Sequence, residues 1–310
     1  GSSRSDLARL LGVTGTLVDS ARRESNFNYV EYDRVEKRSG KRRHLCYPPQ
    51  GCALREVQSA VKSRLLDRIE CVPEVKAYLK HSTHLAAAAE LCGMTFVGTL
   101  DISKFHPSIK AAHVGVAFRK HGVSWPLSRR LAQLVTYRGR LPQGASTSNH
   151  VANLVIDVLF RRWILPYARN RKVAVVNYGD DIAFSGHDSG KVKACVRYAA
   201  RTIQSFGFDV NDKGNDCEHP GGRRNFLGCA TGRDKIDYPR EKYRALRREL
   251  RQRVASERDR TDTRPVTSEG ELRSLRARID YVKRINGKKA RRLRDEFYRL
   301  CAARRVGGCV

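Results

Sequence analysis

The chain has 310 residues, enough for one large or two to three smaller substructures with hydrophobic cores. Its 61 Lys and Arg residues outnumber 32 Asp and Glu residues, which gives a formal net charge of +29 and a pI near 10.3. This excess predicts a polyanionic partner, because Lys and Arg release counterions from nucleic-acid phosphates. An anionic membrane is the alternative partner, but there is no signal-like start and no apolar run of about 18 residues, so we expect a soluble, cytoplasmic protein.

Cysteine usage indicates a reducing compartment. The nine cysteines form no Cys-x-x-Cys pair, and their number is odd. Cys217 and His219 form a Cys/His cluster, a weak zinc signal without a second pair of ligands. We therefore expect reduced thiols, most of them small core residues.

Apolar periodicity predicts a series of helices and strands along the first half of the chain. In chain order, these are a helix over 4–24, an extended segment over 27–32, a basic turn around Gly40, helices over 53–70 and 73–92, and a strand over 94–100. Two amphipathic helices are expected within 110–136, broken near 123–126. A glycine-bearing turn and a helix from Asn149 to about Arg162 follow.

The stretch at 173–185 predicts a β-hairpin with acids at its tip. Gly179 gives the turn its backbone freedom, and β-branched and aromatic residues on both sides favour paired strands. The adjacent carboxylates of Asp180 and Asp181 repel each other, so a compensating cation is expected, and oxygen ligands suit Mg²⁺. An ordinary turn is the alternative, since Gly-Asp is common turn chemistry.

Asp101 ends the apolar strand that precedes the hairpin in the chain. If the two strands are neighbours, Asp101, Asp180 and Asp181 converge on one sheet edge, and two-metal phosphoryl transfer needs such a set of carboxylates. The alternative for Asp101 is a helix N-cap, a position that favours Asp.

The composition changes downstream of the hairpin. A helix over 190–206 and short strands at 208–211 and 226–228 precede a helical tail with a loop near 255–270. Residues 233–310 hold 25 Lys and Arg against 12 Asp and Glu. This order predicts an α+β fold, an antiparallel sheet backed by helices, with the basic tail as a separate lobe.

Three segments resemble the motifs of bacterial reverse transcriptases. Residues 100–109 (LDISKFHPSI) resemble motif A, residues 141–148 (LPQGASTS) with 152–154 (ANL) resemble motif B, and residues 178–181 (YGDD) resemble motif C. The tail at 275–286 is similar to the thumb of retron-type enzymes. The resemblance implies a right-hand polymerase fold and RNA-directed DNA polymerase activity.

The resemblance also implies a domain division and a set of metal ligands. The expected domains are an N-terminal helix at 1–24, fingers and palm at 25–232 and a basic helical thumb at 233–310. The implied ligands of two Mg²⁺ ions, which Mn²⁺ could replace, are Asp101, the backbone carbonyl of Ile102, Asp180 and, in support, Asp181.

Further residues are implied to bind the incoming dNTP. Their roles are a grip on the triphosphate by Arg43 with Lys37 and Lys41, contact with the nucleotide by Gln143 and Gly144, and protonation of pyrophosphate by Lys213. A guanidinium fork suits the triphosphate, and a solvated basic turn is the alternative for the first three. The segment 226–228 is expected to be a primer grip or a plain core hairpin.

His106 departs from the family pattern. At this position, five residues after the motif A Asp, the family usually has Phe or Tyr as a steric gate against the ribose 2′-hydroxyl. Imidazole is smaller than a phenyl ring and can donate a hydrogen bond to a hydroxyl. We therefore expect His106 to gate the sugar less strictly than Phe.

The basic tail mixes cations with aromatic residues at helical spacing. Its candidate nucleic-acid contacts are Arg247, Arg248, Arg251, Tyr281, Lys283, Arg284 and Lys288. A cationic helical lobe suits an RNA–DNA duplex, because proteins contact A-form helices through the backbone and 2′-hydroxyls. A helical bundle with a charged exterior is the alternative.

Two further departures concern the RNA partner. Residues 86–90 (AAAAE) replace the Asn-Ala-x-x-His of many retron enzymes, and 226–228 (FLG) replace Val-Thr-Gly. Both features are associated with the structured retron RNA, so a related antiphage-defence reverse transcriptase with its own noncoding RNA fits equally well. An effector protein and an oligomeric state are compatible with either.

The leading hypothesis is thus RNA-directed DNA synthesis on a dedicated noncoding RNA. RNA synthesis is the second hypothesis, prompted by Gly-Asp-Asp and His106. A catalytically idle, polymerase-derived RNA-binding scaffold is the third.

Overall fold

The computed structural model describes most of the chain. The described residues are 3–35, 42–79, 82–211, 224–260 and 265–306. They fall into two compact units, a first unit of Gly1–Ala87 with Thr95–His219 and a second unit of Ala88–Met94 with Pro220–Val310. The N-terminal segment belongs to the first unit, and the functional division into fingers, palm and thumb stays a prediction.

The first unit contains ten helices and six strands among the residues described. Its helices are α1 (Ser3–Leu11), α2 (Gly15–Glu24), α3 (Ala53–Arg64), α4 (His84–Ala89, which runs across the division), α5 (Phe105–Ser108), α6 (Ala111–Lys120), α7 (Trp125–Val135), α8 (Ser148–Leu159), α9 (Leu165–Asn170) and α10 (Ser189–Ser205). Its strands are β1 (Val30–Val35), β2 (Arg42–Tyr47), β3 (Phe96–Ile102), β4 (Ala174–Tyr178), β5 (Asp181–Gly186) and β6 (Val210–Asn211).

A four-stranded antiparallel sheet organises this unit. Its strand order is β4-β5-β3-β6, so β3 lies between the hairpin strand β5 and the short strand β6. Helix α10 packs against β3 and β5, and a π-helical turn at Phe160–Ile164 joins α8 to α9. Phe118, Phe160 and Phe184 are fully buried in the core between these layers. The α+β class and the antiparallel sheet backed by helices are as predicted.

The structure corrects two of the predicted helices. The helix expected over 4–24 is two helices, because the chain turns at Gly12 (φ +65°) and Thr14 caps α2 by accepting a hydrogen bond from the Leu17 amide at 3.2 Å. The helix expected over 73–92 is only α4. Residues 73–79 before α4 form turns, and Val75 among them forms a parallel β-bridge with Asn177 of the hairpin, so pairing with a sheet edge overrides the helical pattern.

Three smaller boundaries also differ. The helix expected over 53–70 ends at Arg64 and is followed by a 3-10 turn, Leu66–Arg68. The helix after Asn149 continues through the π-helical turn to the end of α9. At 226–228, Leu227 and Gly228 form a turn with positive φ (+51° and +80°) rather than strand.

The second unit is a small sheet followed by three helices. Its elements are β7 (Arg224–Phe226), β8 (Cys229–Thr231), β9 (Ile236–Asp237), α11 (Arg240–Arg258), α12 (Glu269–Ile285) and α13 (Gly287–Val306). The helices enclose their own core, which includes Leu246, Leu250, Ile279 and Leu293. Among the residues described in either unit, none of the helices combines the length and the apolar character that crossing a membrane requires.

Candidate active site and nucleic-acid surface

The acidic hairpin turn is fixed from within by a buried amide. Asn177 Nδ2 donates to the carbonyl of Gly179 at 2.9 Å and to that of Asp181 at 3.3 Å. Gly179 has a φ of +69°, a left-handed conformation that glycine adopts without strain. The conformation of the turn that carries the two acids is therefore stabilised by the hairpin's own residues.

Asp101 and Asp181 lie directly opposite each other on β3 and β5. Directly opposed residues on antiparallel strands project to the same face, with Cβ atoms about 5 Å apart. The Ile102 amide donates to the carbonyl of Asp180 at 3.0 Å, which joins the end of β3 to the turn. The structure thus brings the predicted ligands of motifs A and C to one edge of the sheet.

Asn211 is a residue of this site that the sequence did not single out. It is the register partner of Asp101 on the other side of β3, and its Nδ2 donates to Asp101 Oδ2. The hydrogen bond orients the carboxylate between its two neighbouring strands. Its position in a two-residue strand gave no periodic signal in the sequence.

The acidic edge of the sheet fits a divalent metal ion that takes some of its ligands from the substrate. Within the described part of the chain, no three Asp, Glu, His or Cys side chains are grouped closely enough to hold an ion alone. Mg²⁺ is usually held by one or two carboxylates together with waters and substrate phosphates. The Asp101–Asp181 pair fits such an ion, and Asp180 is connected to it through the backbone rather than as a third member of a preformed cluster.

The motif B loop is attached to the basic strand β2. The Cys46 amide donates to the carbonyl of Gln143 at 2.8 Å, and Cys46 forms a parallel bridge with Gly144. A Cβ at Gly144 would lie 3.4 Å from the Cys46 carbonyl oxygen, and the φ of Gly144 is +125°. The positive φ favours glycine here, whereas a Cβ at that distance would be in ordinary van der Waals contact. The contact places the loop beside the strand that carries Arg43.

Arg43 lies on β2, opposite Arg34 of β1. Its charge lowers the pKa of His106 and of Tyr78, and the charge of Asp180 raises both, although burial is the largest influence on each. Arg43 and Asp180 therefore act on the same two side chains. The other predicted phosphate-binding residues, Lys37, Lys41 and Lys213, lie outside the described residues.

His106 is held by the motif B helix. Its Nε2 lies 3.0 Å from Oδ1 of Asn149, near the start of α8. Burial lowers the pKa of His106 below its ordinary 6.5, so the ring is neutral at neutral pH. Nε2 then donates to Asn149, which leaves Nδ1 as an acceptor. Asn149 is a second site residue that the sequence did not identify.

The second unit carries a cationic groove along α11. The groove has a volume of about 580 Å³ and is lined by Arg240, Tyr243, Arg244, Arg247, Arg248, Arg251, Gln252 and Lys289. Five arginines on one side of a single helix repel each other unless anions lie nearby. The groove therefore has the composition expected of a phosphate-binding surface.

Glu296 of α13 supplies one such anion from within the protein. It is 6% exposed, and its carboxylate lies 3.0 Å from Nε of Arg251 and 3.6 Å from Nε of Arg247. Burial alone would raise the pKa of Glu296, but Arg251, Arg299 and Arg247 together lower it. Two of the predicted nucleic-acid contacts are thus also structural ion-pair partners.

The remaining predicted contacts of the second unit divide into two groups. Arg248, Lys283, Arg284 and Lys288 are exposed. Tyr281 instead packs inside the unit, edge-on to Tyr238 with ring centroids 6.3 Å apart, and burial raises the pKa of its hydroxyl. The exposed cations are available to a ligand, whereas Tyr281 contributes to packing.

An acidic cross-strand pair at a hairpin turn, beside a glycine loop attached to a basic strand, is the arrangement of a nucleotide-polymerising palm. Residues 35–229 match the family described as reverse transcriptase (RNA-dependent DNA polymerase). This match covers more than half of the chain, and the chain belongs to the reverse transcriptase family. The assignment made from motifs A, B and C is confirmed, and with it the palm and fingers fold.

The chain is also similar to curated retron enzymes. It is 27% identical to the retron Ec86 reverse transcriptase of Escherichia coli over 269 residues, covering 87% of this chain and 80% of that protein. It is 29% identical to the retron Mx65 reverse transcriptase of Myxococcus xanthus, covering 93% and 69%. It is 21% identical to the retron Se72 reverse transcriptase of Salmonella heidelberg, covering 70% and 58%. The predicted retron-type resemblance is therefore confirmed.

Proposed function

We propose that this chain is an RNA-directed DNA polymerase that copies a dedicated noncoding RNA in a bacterial retron or antiphage defence system. The observation that carries the proposal is the cross-strand pairing of Asp101 with Asp181 at the hairpin turn, in a chain of the reverse transcriptase family. The names of the similar retron enzymes support the choice of system. A cytoplasmic location, an effector protein and an oligomeric assembly belong to the same proposal.

We assign the metal-binding role to the acidic edge of the sheet. Asp101, Asp180, Asp181 and the carbonyl of Ile102 would hold two Mg²⁺ ions, or Mn²⁺ in their place. Such ions activate the attacking hydroxyl and neutralise charge on the triphosphate. Asn211 orients the Asp101 carboxylate through its hydrogen bond. The hydrogen bond from the Ile102 amide to the carbonyl of Asp180 holds the end of β3 beside the turn.

We assign binding of the incoming dNTP to the loop and strand beside the acids. Arg43 would bind the triphosphate with its planar fork of donors, helped by Lys37 and Lys41. Gln143 and Gly144 would contact the nucleotide, since a glycine at 144 lets the backbone approach closely. Lys213 would donate a proton to the departing pyrophosphate.

We assign the second unit the role of a thumb that holds the RNA–DNA duplex. The exposed cations of α11 to α13, among them Arg248, Lys283, Arg284 and Lys288, would contact phosphates. Arg247 and Arg251 would contribute from the groove while paired with Glu296. Such contacts are independent of base sequence, which suits an enzyme that moves along its template.

A primer-extension assay tests the proposal. The full chain is given a primed RNA template, Mg²⁺ and labelled dNTPs, and Asp180→Asn is assayed alongside. We expect DNA synthesis by the wild type and its loss in the variant, with unchanged melting temperature. Absence of synthesis by a folded wild type, with RNA binding retained, would instead support the idle scaffold.

The second candidate function, RNA synthesis, is favoured by His106. A neutral imidazole that donates to Asn149 through Nε2 can accept a hydrogen bond from a sugar hydroxyl at Nδ1. Replacing dNTPs by rNTPs in the same assay distinguishes the two activities. Comparing the wild type with His106→Phe tests whether His106 discriminates between dNTPs and rNTPs. Equal sugar preference in both proteins would show that it does not.

A further inference from the structure

Tyr78 has a backbone conformation that is unusual for an aromatic residue. Its φ is +60°, in the left-handed region, which bulky residues rarely enter and which persists mainly where the surroundings impose it. The surroundings here are hydrogen bonds to the hairpin. The Asn177 amide donates to the carbonyl of Glu74 at 2.8 Å, and the Lys76 amide donates to the carbonyl of Asn177 at 2.9 Å.

The motif B helix provides a third attachment. Asn153 of α8 is buried, and its Nδ2 donates to the carbonyl of Ala77 at 2.6 Å. The residue just before Tyr78 is thus tied to α8 while the preceding ones are tied to β4. Together these contacts fix where the Tyr78 side chain leaves the backbone.

The Tyr78 hydroxyl lies over the glycine of the acidic turn. A Cβ built on Gly179 would be 3.4 Å from the Tyr78 hydroxyl oxygen and 3.9 Å from its ring. Gly179 has no side chain of its own, so the phenol occupies the space that a larger residue at this turn would fill. The ring therefore forms part of the surface beside Asp180.

The same ring packs edge-on against His106. Their centroids are 6.5 Å apart and the planes meet at 67°. His106 is in turn bonded to Asn149. Tyr78 thus contacts His106 of motif A and the motif C turn, and its backbone is attached to the motif B helix through Ala77. It retains 38% of its surface exposed, so part of the ring remains available to a ligand.

We propose that Tyr78 is a specificity-determining residue of the nucleotide pocket, whose ring supplies the aromatic bulk that His106 lacks and excludes a ribose 2′-hydroxyl. The inference rests on the proposed polymerase function and narrows it, because it places sugar discrimination on a pair of residues. His106 Nδ1 accepts a hydrogen bond from the sugar, and Tyr78 limits the space beside it.

The test compares variants that keep or remove the ring. Tyr78→Phe keeps the ring, and Tyr78→Asn removes it while relieving strain, since Asn enters the left-handed region more readily than other non-glycine residues. Tyr78→Leu is a second variant without the ring. Phe27→Ala is the control, because Phe27 is a 70% exposed aromatic residue of the same unit.

The measurement is kcat/KM for a dNTP and for the matching rNTP on a primed RNA template. We expect the dNTP preference to fall about tenfold in Tyr78→Asn and Tyr78→Leu, the size of effect that follows from removing bulk in a pocket. We expect the decrease to arise mainly from a lower KM for the rNTP. Tyr78→Phe and Phe27→Ala should keep the wild-type preference.

A binding assay provides a second readout that does not depend on turnover. With a chain-terminated primer, the ring-less variants should retain the next rNTP in a stable ternary complex at lower concentration than the wild type. Wild-type dNTP preference in a folded ring-less variant would overturn the inference. Failure of the wild type to extend any primer with dNTPs would instead overturn the proposed function.

Discussion

The acidic turn and the basic helices differ in how the repulsion between like charges is compensated. At the turn, Asp101 and Asp181 have like charge and are kept opposite each other by the strand register. In the second unit, Arg247 and Arg251 also have like charge but share the buried carboxylate of Glu296. Among the described residues, the turn has no group of three metal-ligating side chains, so an ion bound there would take further ligands from water or substrate.

Because of this difference, the turn has the properties of a rigid active site and the helices have those of a binding surface. The backbone hydrogen bonds of the paired strands fix the positions of the acidic residues, so a small displacement of these residues is expected to lower activity strongly. The exposed cations of the helices are long, flexible side chains, and each contributes a similar share of phosphate affinity. Substitutions should therefore have large, local effects at the turn and small, additive effects on the helices.

Loss of one acid charge should have the largest effect. Asp101→Asn keeps the shape of the side chain but removes the charge opposite Asp181, so we expect kcat to fall about a thousandfold in primer extension. Asp188→Asn is the matched control, since Asp188 caps α10 by accepting from the Lys191 amide at 3.0 Å and Asn caps equally well. A similar loss in both variants would show that the turn is not the reactive site.

Removal of the hydrogen bond behind Asp101 should have an intermediate effect. Asn211→Ala leaves the carboxylate in place but unoriented, and such supporting contacts typically contribute about 10–100-fold in metal affinity or activity. We expect the Mg²⁺ concentration for half-maximal activity to rise while the melting temperature stays close to that of the wild type. Asn170→Ala, at the exposed end of α9, is the control. An unchanged Mg²⁺ requirement would restrict Asn211 to pairing β6 with β3.

The sequence predicted the parts of the site that depend on strands and turns. The antiparallel sheet and the hairpin were predicted because apolar runs and a glycine turn follow directly from local geometry, whereas motifs A, B and C were identified by their resemblance to those of bacterial reverse transcriptases. Tyr78 was not predicted, because residues 73–92 have a helical pattern. The non-helical conformation of residues 73–79 depends on hydrogen bonds to Asn177, and that residue lies far away in the sequence.

In the helical unit the sequence predicted the cationic face of the helices but not the side-chain contacts between them. Helical spacing indicated which residues are cationic and on the outside. It did not show that Glu296 would be buried beside Arg251, or that Tyr281 would pack against Tyr238. Both outcomes depend on which helices become neighbours, and long side chains reach partners that periodicity does not specify.

Single cations on the helices should have smaller effects on RNA–DNA binding. Arg248→Gln removes one exposed charge, so we expect the slope of log affinity against log salt concentration to decrease by about 1. Arg278→Gln is the control, because Arg278 is paired with Glu249 at 2.6 Å. The control should leave the salt slope almost unchanged. Equal slopes in Arg248→Gln and the wild type would place the duplex elsewhere.

The smallest effect concerns a carboxylate that stabilises the helical unit. Glu271 accepts hydrogen bonds from the Ser268 amide at 2.8 Å and from Arg253 at 2.9 Å, and these contacts lower its pKa from the ordinary 4.5 to about 2. The folded state therefore binds the proton less readily than the unfolded state. Its stabilising contribution is present in full above pH 4.5 and is lost as the pH falls towards 2.

Glu271→Gln isolates that charge, because Gln can also close the capping box with Ser268. We expect the variant to melt at a slightly lower temperature than the wild type above pH 4.5, and the difference to shrink as the pH approaches 2. Glu271→Ala loses the cap as well, so part of its deficit should persist at low pH. Melting curves of the three proteins between pH 7 and pH 2 provide the comparison. A pH-independent difference between Glu271→Gln and the wild type would contradict a stabilising role for the charge, since a contribution from the charge must disappear when the carboxylate is protonated.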